Sequence, residues 1–277
     1  MSTSQVLFDD YQKTESCNNS ACLITVDDIY SCINTLKRGK ASGFDSLSNE
    51  HIIFSHPILV NLLMHLFNAI VLFGYVPDAF GVGVIIPLIK NGDADSGNID
   101  NYRGITLSPC ISKLFEICLL IQLKSYLKTS DLQFGFKEDL GCIHALYTVR
   151  AALDYFNNNG STVTLCALDI SKAFDKVDHH VLFSKLIDRK VPICLLKVLI
   201  SWYSKCNAMV RWGSSLSRSF AVKAGVRQGG VLSPYLFAVY IDHLICALEN
   251  SGHGCVIHGV YLGCIVYADD IFLMSYS

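Results

Sequence analysis

Apolar and polar positions divide the chain into amphipathic stretches and short apolar runs, with strands gathering after residue 162. In 58–73 the polar residues Asn61, His65 and Asn68 recur at i, i+4 and i+7, one stripe on a predicted helix that ends near Gly74 and Pro77. Before it, Thr25 caps a helix with Asp27 and Asp28 in its first turn, closing at Lys37-Arg38-Gly39. Residues 83–89 alternate little and read as a buried strand, and Asn91-Gly92 is a hairpin signal. A helix is predicted from Ser112 to about Lys128, burying Leu114, Phe115, Cys118, Leu119 and Leu123; another spans 144–156 and stops at Asn157-Asn158-Asn159-Gly160. Residues 163–168 fit a buried strand that delivers Asp169 at its end, and a helix begins near Asp178. Further on come a helix over 195–209 carrying Trp202 and Tyr203, and a hairpin over 211–222 with Gly213. A helix capped by Ser233 with Pro234 at its first position then reaches Leu248. Last, 260–266 and 271–274 read as two strands joined tightly through Tyr267-Ala268-Asp269-Asp270.

Composition narrows the class. The 277 residues suffice for one large or two small domains. With 51% hydrophobic and 17% charged residues, the chain is a membrane protein or a piece of a larger soluble one. The 58–73 helix falls short of the roughly 20 residues a membrane span needs and carries a polar stripe, and no signal peptide precedes it; the membrane reading is rejected. Twelve cysteines occur without a CxxC pair, and Cys118, Cys166, Cys194, Cys246 and Cys264 sit in apolar runs, which indicates buried free thiols in an intracellular, reducing compartment. A net charge of −2 provides no global basic field, so nucleic-acid binding must use local clusters such as Lys37-Arg38-Gly39-Lys40 or 211–227. Residues 1–22 are a polar lead-in.

Candidate chemistry centres on the hairpin tip. One Asp there is ordinary turn chemistry. Two adjacent carboxylates repel each other and suit a hard cation, and Mg²⁺ takes one or two carboxylates plus substrate phosphates. Asp169, at a strand end, lacks the helix-start explanation open to Asp175 and Asp178. If the two strand elements are neighbours, Asp169, Asp269 and Asp270 converge as two-metal phosphoryl transfer requires. His179 and His180 are adjacent and read as surface or packing. Lys90 and Arg103 read from spacing alone as solvated charge; beside a triphosphate they would neutralise developing charge. Phe174 is a core aromatic or a ribose-contacting wall. Gly229-Gly230 before a helix start admits a ligand to the backbone or is an ordinary loop.

The order of these motifs resembles the reverse transcriptase domain of non-LTR (LINE-like) retrotransposons, a right-hand palm polymerase. Asp169 followed by Ser171-Lys172-Ala173-Phe174-Asp175, Gln228-Gly229 through Pro234, and Tyr267-Ala268-Asp269-Asp270 match family motifs. Pro87-Leu88-Ile89-Lys90 and Asn101-Tyr102-Arg103-Gly104-Ile105 look like its fingers hairpin, Lys40 to Asp45 like the segment before it, and Gln133-Phe134-Gly135-Phe136 like the next fingers block. The resemblance covers about residues 30–277. It implies an α+β fold of fingers and palm, with an antiparallel palm sheet backed by helices and no thumb. The lead-in would be 1–22. The fingers would occupy mainly 23–160, with one palm helix near 112–128. The palm would occupy mainly 161–277, interleaved with a fingers segment near 195–222. Asp169, Asp269 and Asp270 would bind two Mg²⁺ ions, with Mn²⁺ as a substitute. Phe174 would be the gate selecting deoxynucleotides, Gln228 with Gly229 would line the nucleotide pocket, and Arg103 with Lys90 would touch the triphosphate. Partners would be an RNA template, a DNA primer and dNTPs, with no membrane. Two departures stand out: Gly104 replaces the family's usual proline, which would leave that loop freer, and the chain ends seven residues past Asp270, which reads as a truncated element protein lacking processive synthesis. Other readings stay open. One is a non-catalytic or decayed nucleic-acid-binding fragment that keeps the fold. Another is an RNA-dependent RNA polymerase, opposed by the bulk of Phe174. The third is a metal-dependent nuclease, which leaves Phe174 and Gln228-Gly229 without a purpose.

Overall fold

A computed structural model describes residues 23–90 and 95–277. The lead-in and the Asn91-Gly92 turn lie outside the described residues. Helix α1 (Val26–Thr35) opens on a reciprocal cap: the Thr25 hydroxyl accepts from the Asp28 amide at 3.1 Å, and the Asp28 carboxylate accepts from the Thr25 amide at 2.8 Å. After α2 (Asn49–Ile53), α3 (Ile58–Phe73) ends at Gly74, whose φ of 62° is a left-handed cap. The polar stripe expected on α3 is only partly open to solvent. Asn61 and His65 are exposed, but Asn68 is half-buried and bonds the amide and carbonyl of Ile24, each at 2.8 Å.

Next come α4 (Asp78–Gly81), β1 (Val82–Ile89), β2 (Tyr102–Leu107) and α5 (Cys110–Leu123). The α5 helix starts at Pro109 as N-cap rather than at Ser112, which is buried and donates to the Phe80 carbonyl at 3.2 Å. The chain continues through α6 (Cys142–Asn158), β3 (Val163–Asp169), α7 (His179–Asp188) and α8 (Ile193–Ser204). The helix expected over 195–209 stops at Ser204, because β4 (Asn207–Trp212) is drawn into a parallel ladder with β1. Strands β5 (Ser215–Leu216) and β6 (Phe220–Ala221) fold back on β4, and α9 (Ser233–Glu249) follows. The run at 260–266 is two strands. After β7 (Val256–Ile257), β8 (Val260–Tyr261) and β9 (Cys264–Tyr267) are parted at Gly263, where a Cβ would stand 2.7 Å from Tyr261 ring atoms; β10 (Asp270–Tyr276) ends the set.

The chain forms two compact units. One comprises the described residues up to 126 together with 178–233. Its sheet runs β2-β1-β4-β5, with β6 also on β4. Its helical core is built on Phe115, whose ring lies 4.8 Å from Phe67 and 5.6 Å from Trp202, centroid to centroid. Burying rings of this size supplies the largest apolar contribution per residue.

The other unit comprises 127–177 and 234–277. Its antiparallel sheet runs β3-β10-β9, with α6 packed against β9 and β3. The expectation of a buried β3 is corrected. As an edge strand it is hydrogen-bonded on one side only, and Leu165 and Leu168 remain 44% and 45% exposed. Cys166 and Cys246 are likewise exposed, against expectation, whereas Cys118, Cys194 and Cys264 are buried. Among the described residues no helix is long and apolar enough to cross a membrane. The architecture is mixed α and β, a sheet backed by helices, as a fingers-and-palm domain requires.

Candidate active site

The paired carboxylates stand on the β9–β10 hairpin. Tyr267 pairs with Asp270, so Ala268 and Asp269 alone make the connection. Ala268 has a φ of 59°, a left-handed conformation that a non-glycine residue keeps only under local constraint. Gln133 supplies that constraint. Fully buried, its side-chain oxygen accepts from the amides of Ala268 at 3.1 Å and Gly135 at 2.8 Å, and its amide group donates to the Ala268 carbonyl at 3.3 Å. Residues 132–134 also bond Val266 through two backbone hydrogen bonds of 2.8 Å. Gly135 passes so close that a Cβ would lie 2.3 Å from the Ala268 nitrogen. The sequence marks 133–136 as a block; the clamp itself was not foreseen, and only the Gln-x-Gly spacing hints at it.

Strand β10 pairs antiparallel with β3 in a register that sets Asp270 directly opposite Asp169. Cross-strand partners hold their Cβ atoms about 4.5–5.5 Å apart. The Asp270 carboxyl is pushed above the usual carboxylate range, first by partial burial and then by the negative charges of Asp269 and Asp169. Thus the strands are neighbours, as the convergence of the three carboxylates requires. Among the described residues, no three His, Cys, Asp or Glu side chains already form a set that could hold a metal ion. The donor chemistry nevertheless fits a hard cation, because the charge density that raises Asp270 is what such an ion relieves.

Phe174 lies in a 3-10 turn (Ala173–Lys176) of the same unit. It stacks on Phe237 at 4.8 Å with the planes 14° apart and meets Phe136 edge-on at 6.1 Å. The ring is half-buried, so its orientation is set by packing. In the other unit Asp178 caps α7, accepting from the amides of His180 and Val181, as the helix-start reading has it. His179 lies 2.8 Å from the Gly225 carbonyl through Nε2 and packs on Tyr203, a packing role.

The β1–β2 register opposes Leu88 to Arg103. Lys90 stands one residue past the end of β1, its amide donating to the Asn101 carbonyl at 2.9 Å. Arg103 is exposed, and the Lys90 ammonium donates to the Asp100 carbonyl at 2.8 Å. Gly104 does not loosen a loop: it lies within β2 opposite Pro87, and a Cβ there would stand 2.9 Å from Ile85 Cγ2. The Gln228 carbonyl accepts from the Thr106 amide at 2.7 Å, joining the Gln228-Gly229 turn to β2. Gly229, at φ 107° and with a Cβ position 2.8 Å from the Thr106 carbonyl oxygen, must be glycine. Two charged residues flanking this turn, the buried Glu116 and the half-buried Arg227, were missed from sequence. The available signals were a lone Glu inside an apolar helix and an Arg abutting Gln-Gly.

Residues 89–277 match the family model described as reverse transcriptase (RNA-dependent DNA polymerase). The chain is 29% identical over 262 residues to the RNA-directed DNA polymerase from mobile element jockey of Drosophila funebris, covering 92% of this chain and 28% of that protein. It is 28% identical to the probable RNA-directed DNA polymerase from transposon BS of Drosophila melanogaster, with 92% and 28% covered. The jockey polymerase of Drosophila melanogaster is 32% identical over 226 residues, 80% of this chain and 24% of that protein. The chain thus spans roughly a quarter of the length of these curated relatives.

Proposed function

The chain belongs to the reverse transcriptase (RNA-dependent DNA polymerase) family, and from that premise we propose that it carries the nucleotidyl-transfer site of a non-LTR retrotransposon polymerase. The reaction is addition of dNMP to the 3′-hydroxyl of a DNA primer paired with an RNA template. The observation that carries this reading is the cross-strand opposition of Asp169 and Asp270, with Asp269 in the adjoining two-residue turn. Asp169, Asp269 and Asp270 would hold two divalent cations, Mg²⁺ or its substitute Mn²⁺. When bound, such ions activate the attacking hydroxyl and stabilise charge on the transferring phosphoryl group.

The chain's own side chains do the rest. Gln133 holds the carboxylate-bearing turn in its left-handed conformation. Arg103 on β2 and Lys90 just past the end of β1 bind the triphosphate and offset its charge. Gln228 lines the nucleotide pocket, and Gly229 leaves the backbone open to it. Phe174, oriented by Phe237 and Phe136, rejects a 2′-hydroxyl sterically. The A-form hybrid of template and product is held through its shape and backbone rather than its sequence. In this reading the carboxylate-bearing unit is palm, and the β1–β2 and β4–β6 hairpins are fingers.

Mn²⁺ titration followed by electron paramagnetic resonance, with dATP present, tests the carboxylate assignment. The wild-type chain is expected to bind about two ions, as two-metal transfer requires, and Asp169→Asn and Asp270→Asn to lose that binding. Equal Mn²⁺ binding by wild type and both variants would refute it.

A further inference from the structure

Two charged residues in the unit that carries Gln228, the buried Glu116 and the half-buried Arg227, remain without a role in the site described above. Glu116 sits amid the apolar residues Leu114, Phe115, Cys118 and Leu119 of α5, yet it is itself buried. Its carboxylate accepts from the amides of Val231 and of Leu232, the latter at 3.2 Å. Arg227 immediately precedes Gln228. Its guanidinium donates to the carbonyls of Phe80 at 3.2 Å and Gly81 at 3.0 Å, to the Ser108 hydroxyl at 3.4 Å and to Cys206 Sγ at 3.2 Å. It also lies over the Trp202 ring, 5.8 Å from the centroid. Withdrawing charge from water is unfavourable unless hydrogen bonds satisfy it, and here those bonds anchor both flanks of one short segment: Arg227, just before it, is tied to Phe80, Gly81, Ser108 and Cys206, and Val231 and Leu232, just after it, are tied to Glu116.

That segment is 228–230. It contains two glycines, one at φ 107°, and is closed as a turn by the Gly230 amide donating to the Arg227 carbonyl at 3.0 Å. Fixed by Arg227 on one side and through Val231 and Leu232 on the other, it presents the Gln228 carbonyl to the Thr106 amide. Thr106 lies on the same strand as Arg103. The spacing between Gln228 and Arg103 therefore depends on both clamps.

We infer that Glu116 and Arg227 are positioning residues that lock the Gln228-Gly229 turn onto β2 and so set the spacing of the nucleotide-binding groups. The inference rests on the nucleotide role proposed for Gln228 and Arg103. Lysine at 227 keeps the charge but not the fork that reaches two carbonyls at once. Glutamine at 116 keeps an acceptor oxygen for Val231 and Leu232; leucine keeps only bulk.

The test is calorimetric titration of dATP with Mg²⁺ into the 277-residue chain, combined with hydrogen exchange of peptides over 225–232 and, as a control, over α1. Arg227→Lys and Glu116→Leu are expected to speed exchange in 225–232 but not in α1. If the ordered turn then falls to about a tenth of molecules, dATP affinity drops about tenfold. Glu116→Gln is expected to bind like wild type. A merely structural role would lower the melting temperature and leave the affinity of the folded molecules unchanged. Wild-type binding with unchanged affinity in Arg227→Lys and Glu116→Leu overturns the positioning role and leaves the nucleotide reading intact. No dATP binding by folded wild type overturns the nucleotide reading and this inference with it. If Arg227→Lys does not fold, the contrast between Glu116→Gln and Glu116→Leu decides.

Discussion

At the scale of single residues, chemistry on the surface of the motifs was readable and support beneath them was not. The neighbouring placement of Asp169, Asp269 and Asp270 was legible because a strand end and a hairpin tip are poor places for uncompensated carboxylates. Phe174 was legible as a choice between gate and core; its half-buried ring stacks on Phe237, and the gate is the reading proposed above. Phe174→Val is accordingly expected to raise ribonucleotide relative to deoxynucleotide incorporation by about tenfold or more, equivalent to about 1.4 kcal/mol of discrimination. Single-turnover competition between dATP and ATP measures this, and unchanged selectivity would remove Phe174 from the gate. Gln133, Glu116 and Arg227 were not legible, because the groups they hold lie more than a hundred residues away along the chain.

Glu116 also makes a pH prediction. Burial pushes its carboxyl above the ordinary value of 4.5, against the opposing pull of Arg227 and the two backbone amides. A folded value above the unfolded one means the fold favours the neutral acid. The stabilisation is full below the unfolded value and is lost as pH rises through the folded one. Denaturant melts of wild type and Glu116→Gln are therefore expected to converge at acid pH and separate above it, with wild type falling behind. A gap that is flat or widens towards acid would contradict this.

At the scale of elements, local signals located caps and turns, while long-range pairing decided between helix and strand. Thr25 and Gly74 acted where expected. Residues 207–209 carry no strong strand signal, and their state follows from the ladder that β1 offers. β3 is apolar enough for a buried strand, but its place at the edge of a three-stranded sheet leaves it exposed. Gly74 supports a quantitative expectation. Its φ of 62° and a Cβ position 2.9 Å from Lys197 Cβ make Gly74→Ala destabilising, by about 1 kcal/mol for the left-handed backbone alone. Chemical denaturation of the pair measures it, and equal stability would show that the α3 cap relaxes freely.

At the scale of the whole molecule, motif order pointed to the family, and 189 matched residues, from 89 to 277, place the chain in it. The division into units was not readable, since 127–177 and 234–277 are joined by the β3–β10 ladder and by the bonds of 132–134 to Val266. Such contacts have no signature in composition or periodicity. The first two matched relatives are more than three times as long as this chain, since 92% of it covers 28% of each. The decisive measurement is extension of a DNA primer on an RNA template with dNTPs and Mg²⁺, comparing wild type with Asp269→Ala/Asp270→Ala. Template-dependent extension that disappears in the double variant is the predicted result. Extension that survives the loss of both carboxylates, or silence from wild type, would contradict the assignment of nucleotidyl transfer to this hairpin.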